Sequence, residues 1–207
     1  MIKLFYARGS CSLATHVALE FTGVSYQAVR VDLSKGEQQS SKFLELNPKG
    51  RVPALLTSKG VLTETPALLA YVARTWPDAN LLPHRDPFEI AEVEAFNAYL
   101  CATVHVAHAH NFRASRWVDD HAAIAAIKRK VPQAVGASYR PIEEGLRPGP
   151  WVCGEHFTIC DIYLFTLSRW LERDGVDTAC LPLVMAHRER VRASPEVGRV
   201  LAEVGES

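Results

Sequence analysis

The sequence predicts a two-part fold, an α/β domain with the element order βαβ-ββα followed by an all-α domain. Short apolar runs alternate with helical patterns over roughly the first 80 residues, and every later pattern has helical spacing. Between them, residues 77–87 contain three prolines and no periodicity, as interdomain linkers often do. We therefore place the α/β domain at residues 1–78, the linker at 79–87 and the helical domain at 88–207.

The α/β half opens with two strands around one helix. Ile2–Ala7 and Tyr26–Leu33 have strand patterns. The apolar residues of Ser10–Thr22 recur at helical spacing, and Gly23 supplies a stop. This order forms a βαβ unit, so the two strands should be parallel with a right-handed crossover. The rest of this half is predicted as an amphipathic piece ending at Asn47, a hairpin of strands Val52–Thr57 and Val61–Thr63, and a helix at Pro66–Thr75.

The second half shows helical spacing throughout. Pro132 and Pro141 should kink or split one of its helices, because an interior proline removes a backbone hydrogen bond. Thr158 and Asp161 have the spacing of a capping box, which indicates a folding motif rather than a catalytic acid. The predicted helices are Phe88–Phe112, Ala122–Leu146, Ile159–Arg173, Leu183–Ala193 and Glu196–Val204.

Composition indicates an ordinary globular protein. Lys and Arg total 23, as do Asp and Glu, and a net charge of zero argues against a strong field for nucleic acid or membrane. We see no signal peptide and no apolar stretch of transmembrane length, so the expected location is the cytoplasm. The five cysteines include no C-x-x-C pair, which argues against a disulfide framework and a structural zinc site. We expect reduced thiols, with those other than Cys11 serving as small buried hydrophobes.

Cys11, in the stretch ARGSCSL, follows the first strand and begins the first helix. Backbone N–H groups and the positive end of the helix dipole favour a negatively charged sulfur there. Ser10 is predicted as the N-cap, and Ser12 can add a hydroxyl or N–H donor. From position alone, a reactive thiol and an inert buried cysteine stay equally open.

Two further segments of this half suit a peptide ligand with charged ends. A cis Val52–Pro53 bond costs about 0.5–1 kcal/mol and would turn the Val52 backbone toward a ligand, although trans is the more common case. Thr65 is predicted as the N-cap of the next helix with Pro66 at its first position, so N–H groups and a hydroxyl suit a carboxylate. Glu64 suits an ammonium, and a plain helix cap beside a solvated Glu stays open. A thiolate, a strand edge, a carboxylate site and an ammonium site together match glutathione.

Five segments carry a family resemblance that covers nearly the whole chain. They are GSCSLATHVALE, NPKGRVPAL, LTE with a small residue after it, WVCGEHFTICDIYLFTLSRW and RVRASPEV. Together they resemble the cytosolic glutathione transferases, most closely the bacterial Beta class. The resemblance implies a thioredoxin-like N-terminal domain, an all-helical C-terminal domain, a homodimer and a role in detoxification.

The resemblance also implies residue roles. Cys11 is the thiol that faces the glutathione sulfur, and His105 is the histidine that projects into the active site and acts with it. Trp170 lies near the second substrate, for which we also nominate Arg113 and Arg116. The expected glutathione-binding residues are Cys11, Ser12, Lys35 near the glycyl carboxylate, Val52 before a cis Pro53, Glu64 and Thr65 at the γ-glutamyl end, and His105.

The chain departs from the family pattern at two positions. Val106 stands where a lysine is usual, and Ala98 where an asparagine is frequent, with Asn97 one step away. Both positions are implicated in holding glutathione, and the candidate cationic replacements are His108, His110, Arg113 and Arg116. The HVAHAH cluster also suggests metal binding, but on a helix His110 points away from His105 and no Cys or carboxylate has ligand spacing, so we expect no metal.

The leading functional hypothesis is a glutathione transferase that joins the thiol of glutathione, its cosubstrate, to small, largely apolar electrophiles. One alternative is a monothiol glutathione-dependent thiol–disulfide oxidoreductase or a dehalogenase-type activity, because Cys11 offers a thiolate while Ala14 replaces a resolving cysteine. Another is a non-catalytic binding module, although such a relative should have lost the thiol and the Glu64–Thr65 pair. The expected partners are glutathione, an electrophile and a second copy of the chain, without nucleic acid or membrane.

Overall fold

The computed structural model describes residues 1–83, 86–145 and 149–206. The chain forms two compact units, one of residues 1–90 with 192–207 and the other of residues 91–191. Two residues of the expected linker, His84 and Arg85, lie outside the described residues, as does Leu146, the expected end of a helix.

The first unit contains a four-stranded sheet with the strand order β2-β1-β3-β4. The first two strands are parallel and the last two form an antiparallel hairpin, which confirms the βαβ and hairpin predictions. Strands β1, β2 and β3 are shorter than the predicted patterns, whereas β4 begins one residue earlier than predicted. Beyond the Tyr6–Arg30 pair, the Val31 N–H still donates to the Tyr6 carbonyl, 2.7 Å away. Their bounds are β1 Ile2–Tyr6, β2 Tyr26–Arg30, β3 Ala54–Thr57 and β4 Gly60–Thr63.

Helices fill the rest of both units. Gly23 ends the first helix at φ 65°, as its position predicts, because glycine adopts the left-handed conformation without a Cβ clash. The bounds are α1 Ser12–Thr22, α2 Ser41–Leu46, α3 Thr65–Thr75, α4 Pro87–Tyr99, α5 His105–Arg113, α6 His121–Gly145, α7 Ile159–Ser168, α8 Pro182–Arg192 and α9 Pro195–Val204. None of the helices in the described ranges is long and apolar enough to span a bilayer.

The last helix belongs to the first unit, whereas the sequence boundary grouped it with residues 88–207. Arg199 of α9 donates to Glu20 of α1 over 2.6 Å, and the fully buried His16 ring lies 3.5 Å from the Glu203 carboxylate. The Gly9 N–H donates to Glu206 over 2.7 Å. Helical periodicity identifies the apolar face of α9 but not the surface it covers, so these contacts had no sequence signal.

Two irregularities shape the second unit. The pattern predicted as one helix, Phe88–Phe112, contains a π-helical turn at Leu100–Val104 between α4 and α5. Of the two predicted effects of the α6 prolines, a kink or a split, the split does not occur, since α6 is one helix with Pro132 and Pro141 inside it. Its buried side chains recur every three to four residues, and this burial offsets the roughly 3 kcal/mol that an interior proline costs.

The Thr158–Asp161 capping box is confirmed and starts the fully buried helix α7. The Asp161 carboxylate accepts from the Thr158 N–H at 2.7 Å and from the Val152 N–H at 2.8 Å. His187 of α8 also meets this carboxylate, with its Nε2 at 2.9 Å. Asp161 therefore joins a loop and two helices at one buried point.

A second buried network joins α5 to α6 and to the segment after α7. His108 Nδ1 lies 2.5 Å from the Asp174 carboxylate, and His108 Nε2 lies 3.2 Å from the Tyr139 hydroxyl. Asn111 donates to the other Asp174 oxygen over 2.8 Å. This pattern assigns the Nδ1–H tautomer to His108, with the Tyr139 hydroxyl donating to its other nitrogen.

Acid is expected to weaken the second unit through this network. Burial lowers the pKa of His108, and the hydrogen bond from its ring to Asp174 only partly opposes this effect. The unfolded chain therefore binds more protons than the folded chain once the pH falls below about 6.5, and the free energy of unfolding falls with pH. Burial acts to raise the pKa of Asp174, but hydrogen bonds from His108 and Asn111 lower it overall, so its contribution is also lost in acid.

We predict that His108→Gln reduces the slope of unfolding free energy against pH between about 7 and 5 and destabilises the protein by about 2–3 kcal/mol. Urea unfolding at several pH values measures both effects. Some slope remains, because burial also lowers the pKa of His16 in the first unit. His110→Gln is the control and should keep the wild-type slope; an unchanged slope in His108→Gln would contradict the assignment.

The cysteines are all reduced within the described residues, as expected. Cys11 and Cys160 are buried, and Cys101 and Cys153 are partly exposed. Cys180 is exposed, so the expectation that the other four are all buried is wrong. Cys180 lies in the segment before α8, where its thiol is 3.5 Å from the Asp177 carboxylate. The local sequence does not indicate that this segment is exposed.

Candidate functional site

Cys11 lies at the N-cap position of α1, with its backbone already helical. The Ser10 hydroxyl accepts from the Ser12 N–H at 3.2 Å, as predicted for an N-cap, although the helix bounds place the cap position one residue later. The Sγ atom of Cys11 lies 3.8 Å from the Val52 carbonyl oxygen, so the thiol faces the chain just before β3. The side chain is 9% exposed. The fold thus brings together Cys11 and the strand-edge residue, which are 41 positions apart in the chain.

The hydroxyl groups near Cys11 are engaged elsewhere. Ser12, which we expected to contact glutathione, is fully buried, and its hydroxyl accepts from the Ala7 N–H at 3.1 Å. Ser10 donates to the Ala7 carbonyl at 2.8 Å and lies 2.6 Å from the Ser12 hydroxyl. Tyr6 is buried, with its ring packed against His16 at 5.2 Å. Cys11 is thus the side chain of this junction that meets Val52.

The peptide bond between Val52 and Pro53 is cis, as the family resemblance implies. Pro53 is buried at the start of β3, and Val52 is partly exposed. Asn47 donates from its side chain to the Arg51 carbonyl over 2.7 Å, which fixes the turn that leads into this bond.

The start of α3 forms a second part of the candidate site. Glu64, not Thr65, is the N-cap, so the predicted cap is shifted by one residue and Pro66 is the second helical residue. Glu64 has φ 73° and ψ 117°, a conformation that non-glycine residues seldom adopt. Its carboxylate pairs with Lys49 at 2.7 Å, and Thr65 is 5% exposed. The first N–H groups of α3 remain available to a carboxylate because no side chain caps them.

We predict that Glu64→Gly stabilises the protein yet weakens glutathione binding. A positive φ costs a non-glycine residue about 1–3 kcal/mol, and glycine removes that cost, so we expect a net gain of about 1 kcal/mol in unfolding free energy. Glu64→Gln keeps the strain but loses the charge, and an exposed pair with Lys49 contributes only about 0–1 kcal/mol.

Both variants should raise the KM for glutathione about tenfold or more, because the predicted contact of Glu64 with the ammonium of glutathione is charge-assisted and such a contact is worth about 1.5–3 kcal/mol. Chemical unfolding and glutathione titrations measure the two quantities. Glu45→Gln, an exposed acid on α2, is the matched control and should change neither. Equal stability of Glu64→Gly and Glu64→Gln would rule out strain at this position.

Lys35 ends the short 3₁₀ turn Leu33–Lys35. In sequence this turn lies between the elements that carry Cys11 and Glu64. The Lys35 side chain is 73% exposed, and its ammonium lies 4.0 Å from the Asp32 carboxylate. Such a pair is weakly held and leaves the ammonium able to reach an anion.

In the helical unit, His105 begins α5 where the π-helical turn ends. Its Nδ1 lies 3.4 Å from the hydroxyl of the fully buried Tyr163 on α7. Its ring also packs against Trp170 with centroids 5.3 Å apart. These contacts unite two predicted site residues, His105 and Trp170, and orient the other ring nitrogen of His105 away from Tyr163.

We predict that Tyr163→Phe lowers kcat/KM and shifts its pH profile. The loss of one hydrogen bond to a ring nitrogen is worth about 1 kcal/mol, or roughly a fivefold change in rate. The pH dependence of kcat/KM in wild type, Tyr163→Phe and His105→Gln tests this positioning role. In the His105→Gln background the tyrosine substitution should have no further effect, and an additive loss would show that Tyr163 acts independently.

The proposed cationic replacements have other surroundings. His108 is buried in the network with Asp174, and His110 stacks on Trp117 with ring centroids 4.1 Å apart. Arg113 ends α5, eight residues and about 12 Å along the helix axis from His105. Arg116 is exposed in the 3₁₀ turn that follows.

The structure describes the surroundings of the two positions that depart from the family pattern, Ala98 and Val106. Asn97 is 2% exposed and neither of its side-chain polar atoms has a hydrogen-bond partner among the described residues, whereas Ala98 is exposed. One residue along a helix turns a side chain by about 100°, so Asn97 does not stand in for an asparagine at position 98. Val106 is 39% exposed. In the described part of the chain, no group of three or more His, Cys, Asp or Glu residues is arranged to hold a metal ion.

Sequence reasoning missed Tyr163 and Lys49. Tyr163 stands within the apolar run of α7, where a hydroxyl needs a partner when buried, so its polarity was a usable signal. Lys49 is 15 positions from Glu64, and only the approach of the turn before β3 to the start of α3 pairs them.

Comparison with known proteins identifies both parts of the chain. A model described as glutathione S-transferase, N-terminal domain, matches residues 1–74, and one described as glutathione S-transferase, C-terminal domain, matches residues 107–195. Glutathione S-transferase GstA of Escherichia coli O157:H7 is 34% identical over 207 residues, which is 99% of each chain.

Solved structures share the fold. A glutathione transferase homologue from Sulfitobacter, crystallised with bound glutathione, has a TM-score of 0.94 and 40% identity over 98% of each chain. A Beta-class glutathione S-transferase from Sphingomonas chungbukensis has a TM-score of 0.87 and 33% identity, over 99% of this chain and 100% of its own. The thioredoxin-like sheet unit and the all-helical unit predicted from the sequence are thereby confirmed.

The relatives include more than one class. A maleylacetoacetate isomerase of Pseudomonas aeruginosa is 28% identical over 200 residues, covering 94% of this chain and 92% of its own. The comparisons therefore identify a family and not a class within it. With both family domains in order and a relative 34% identical along the whole length, the chain belongs to the glutathione S-transferase family.

Proposed function

We propose that this enzyme conjugates the thiol of glutathione to small, largely apolar electrophiles, in the manner of the Beta class. The proposed enzyme is a cytoplasmic homodimer with a role in detoxification, and it uses no metal. The observation that carries the proposal is the position of Cys11, whose thiol lies at the N-terminus of α1 and 3.8 Å from the Val52 carbonyl.

The first unit offers complementary groups for a peptide with charged ends. The N-terminus of α3, with Thr65 beside it, suits the γ-glutamyl carboxylate, and the strained Glu64 suits the ammonium of that residue. Val52 supplies the strand edge for the peptide backbone, and Lys35 supplies a cation for the glycyl carboxylate. Cys11 then takes the position against the glutathione sulfur.

In the proposed reaction the glutathione sulfur attacks the electrophilic carbon as a thiolate. The N–H groups at the start of α1 and the Cys11 thiol stabilise its negative charge, and His105 receives the proton that the glutathione thiol gives up. The electron pair of the broken bond leaves with the departing group, or stays on the acceptor where the reaction is an addition. Trp170, Arg113 and Arg116 belong to the proposed second-substrate pocket.

Calorimetric titration with glutathione and conjugation assays with chlorodinitrobenzene, epoxides and unsaturated carbonyl compounds test this proposal. We expect glutathione binding that Glu64→Gln weakens, together with conjugation of at least one electrophile class. Failure to bind glutathione would overturn the proposal. Exclusive turnover of maleylacetoacetate would replace it with the isomerase activity named for one relative.

A second candidate is monothiol glutathione-dependent disulfide exchange or dehalogenation. The observation that favours it is the Cys11 thiol, which can act as the attacking group. The neighbouring hydroxyls of Ser10 and Ser12 are already hydrogen-bonded to Ala7. Ala14 occupies the position of a resolving cysteine, so a second glutathione would release the mixed disulfide.

A further inference from the structure

The loop before α7 and the first turn of α7 each carry a cysteine. Cys153 lies in a tight turn closed by hydrogen bonds between Trp151 and Gly154, and Cys160 is the second residue of α7. One side chain, Thr158, contacts both cysteine residues. The Thr158 hydroxyl lies 3.8 Å from the Cys153 sulfur and accepts from the Cys160 N–H at 3.2 Å.

The backbone around these thiols is fixed from both sides. Asp161, next to Cys160, accepts from the N–H of Val152, next to Cys153, over 2.8 Å. The same carboxylate accepts from the Thr158 N–H over 2.7 Å, so the turn and the start of α7 are held together independently of the two sulfur atoms. The residues next to the two cysteines are therefore fixed relative to each other.

The two thiols differ in access. Cys153 is partly exposed, whereas Cys160 is fully buried with its thiol donating to the Val93 carbonyl over 3.4 Å. Burial raises the pKa of Cys160, and the neighbouring Cys153 raises it further. A reagent from solution therefore meets Cys153 first.

We propose that Cys153 and Cys160 form a reversible disulfide when the protein meets a peroxide. The Cys153 thiolate attacks one peroxide oxygen, which breaks the O–O bond and yields a sulfenic acid and one water or alcohol. The Cys160 sulfur then attacks the sulfenic sulfur, and hydroxide leaves with the Cys160 proton as a second water. Two thiols are oxidised by two electrons in total, and one peroxide is reduced.

Brief exposure to hydrogen peroxide, followed by denaturation in N-ethylmaleimide and mass spectrometry, tests the proposal. A chain carrying Cys11→Ser, Cys101→Ser and Cys180→Ser leaves only the pair. We expect this chain to lose two daltons and both alkylation sites, and to regain both after reduction. Cleavage after Glu155, which lies between the two cysteines, should leave two peptides joined by the disulfide.

Single substitutions in the otherwise wild-type chain distinguish the role of Cys153, which reacts with the peroxide, from that of Cys160, which attacks the sulfenic acid. Cys160→Ala should leave Cys153 as a sulfenic acid that dimedone traps, and Cys153→Ser should leave Cys160 reduced. Cys180→Ser is the matched control and should form the disulfide as the wild type does. The proposal is overturned if Cys160 in the wild type stays alkylatable while Cys153 is oxidised, or if Cys153 pairs with a different cysteine.

Discussion

Cys11→Ser is expected to reduce glutathione-dependent disulfide exchange by at least about 10³-fold, because a hydroxyl at neutral pH cannot replace a thiolate as the attacking group. Conjugation should fall by no more than about tenfold, since serine still offers a hydrogen-bond donor and one such bond is worth about 1 kcal/mol. The N–H groups at the start of α1 are unchanged by the substitution. Assays of disulfide exchange and of conjugation on one preparation of Cys11→Ser therefore distinguish the two proposed activities.

Incubation with oxidised glutathione and intact-mass measurement complete this experiment. The wild type should gain one glutathione at Cys11 if the thiol bonds to it directly, and Cys11→Ser should gain none there. Cys101→Ser, which removes a partly exposed thiol of the other unit, is the control and should retain both activities. Full disulfide exchange by Cys11→Ser would eliminate the redox candidate, and an equal loss of both activities would make Cys11 the nucleophile of a common step.

Asp161→Ala is expected to destabilise the protein by about 3–5 kcal/mol, a large part of the 5–15 kcal/mol that holds a typical domain together. The carboxylate is fully buried and serves the Val152 and Thr158 N–H groups and His187 Nε2. Without it, these donors are buried and unsatisfied, and each costs about 1–3 kcal/mol before relaxation. The loss is larger than that of an ordinary helix cap because one residue serves a turn and two helices.

Urea unfolding measures this loss, with Asp120→Ala as the control. Asp120 is an exposed acid that accepts one N–H at the start of α6, from Ala123 at 2.7 Å, so its removal should cost about 1 kcal/mol. Glutathione affinity per folded molecule should stay unchanged in both variants, since neither residue belongs to the candidate site. Equal destabilisation of the two variants would mean that the additional contacts of Asp161 contribute nothing.

Local patterns were sufficient where the cause of a structure is local. Gly23 ends α1 because only a residue without a Cβ adopts φ 65° freely, and the Thr158–Asp161 spacing sets the capping box. The parallel pairing of the βαβ unit and the hairpin also followed, because chain direction and turn length leave few choices. The predicted cap at Thr65 is shifted by one residue, since the start of a helix depends on backbone angles that several polar residues can satisfy.

Chain pattern and composition were thus enough to establish the two-part architecture, the candidate thiol at a helix N-terminus and the family motifs. Contacts between distant positions were settled only by folding: Cys11 against Val52, Glu64 against Lys49, His105 against Tyr163, and α9 on the first unit. The physical reason is that helix and strand signals arise from neighbours along the chain. Which buried polar group meets which partner depends on the packing of whole elements.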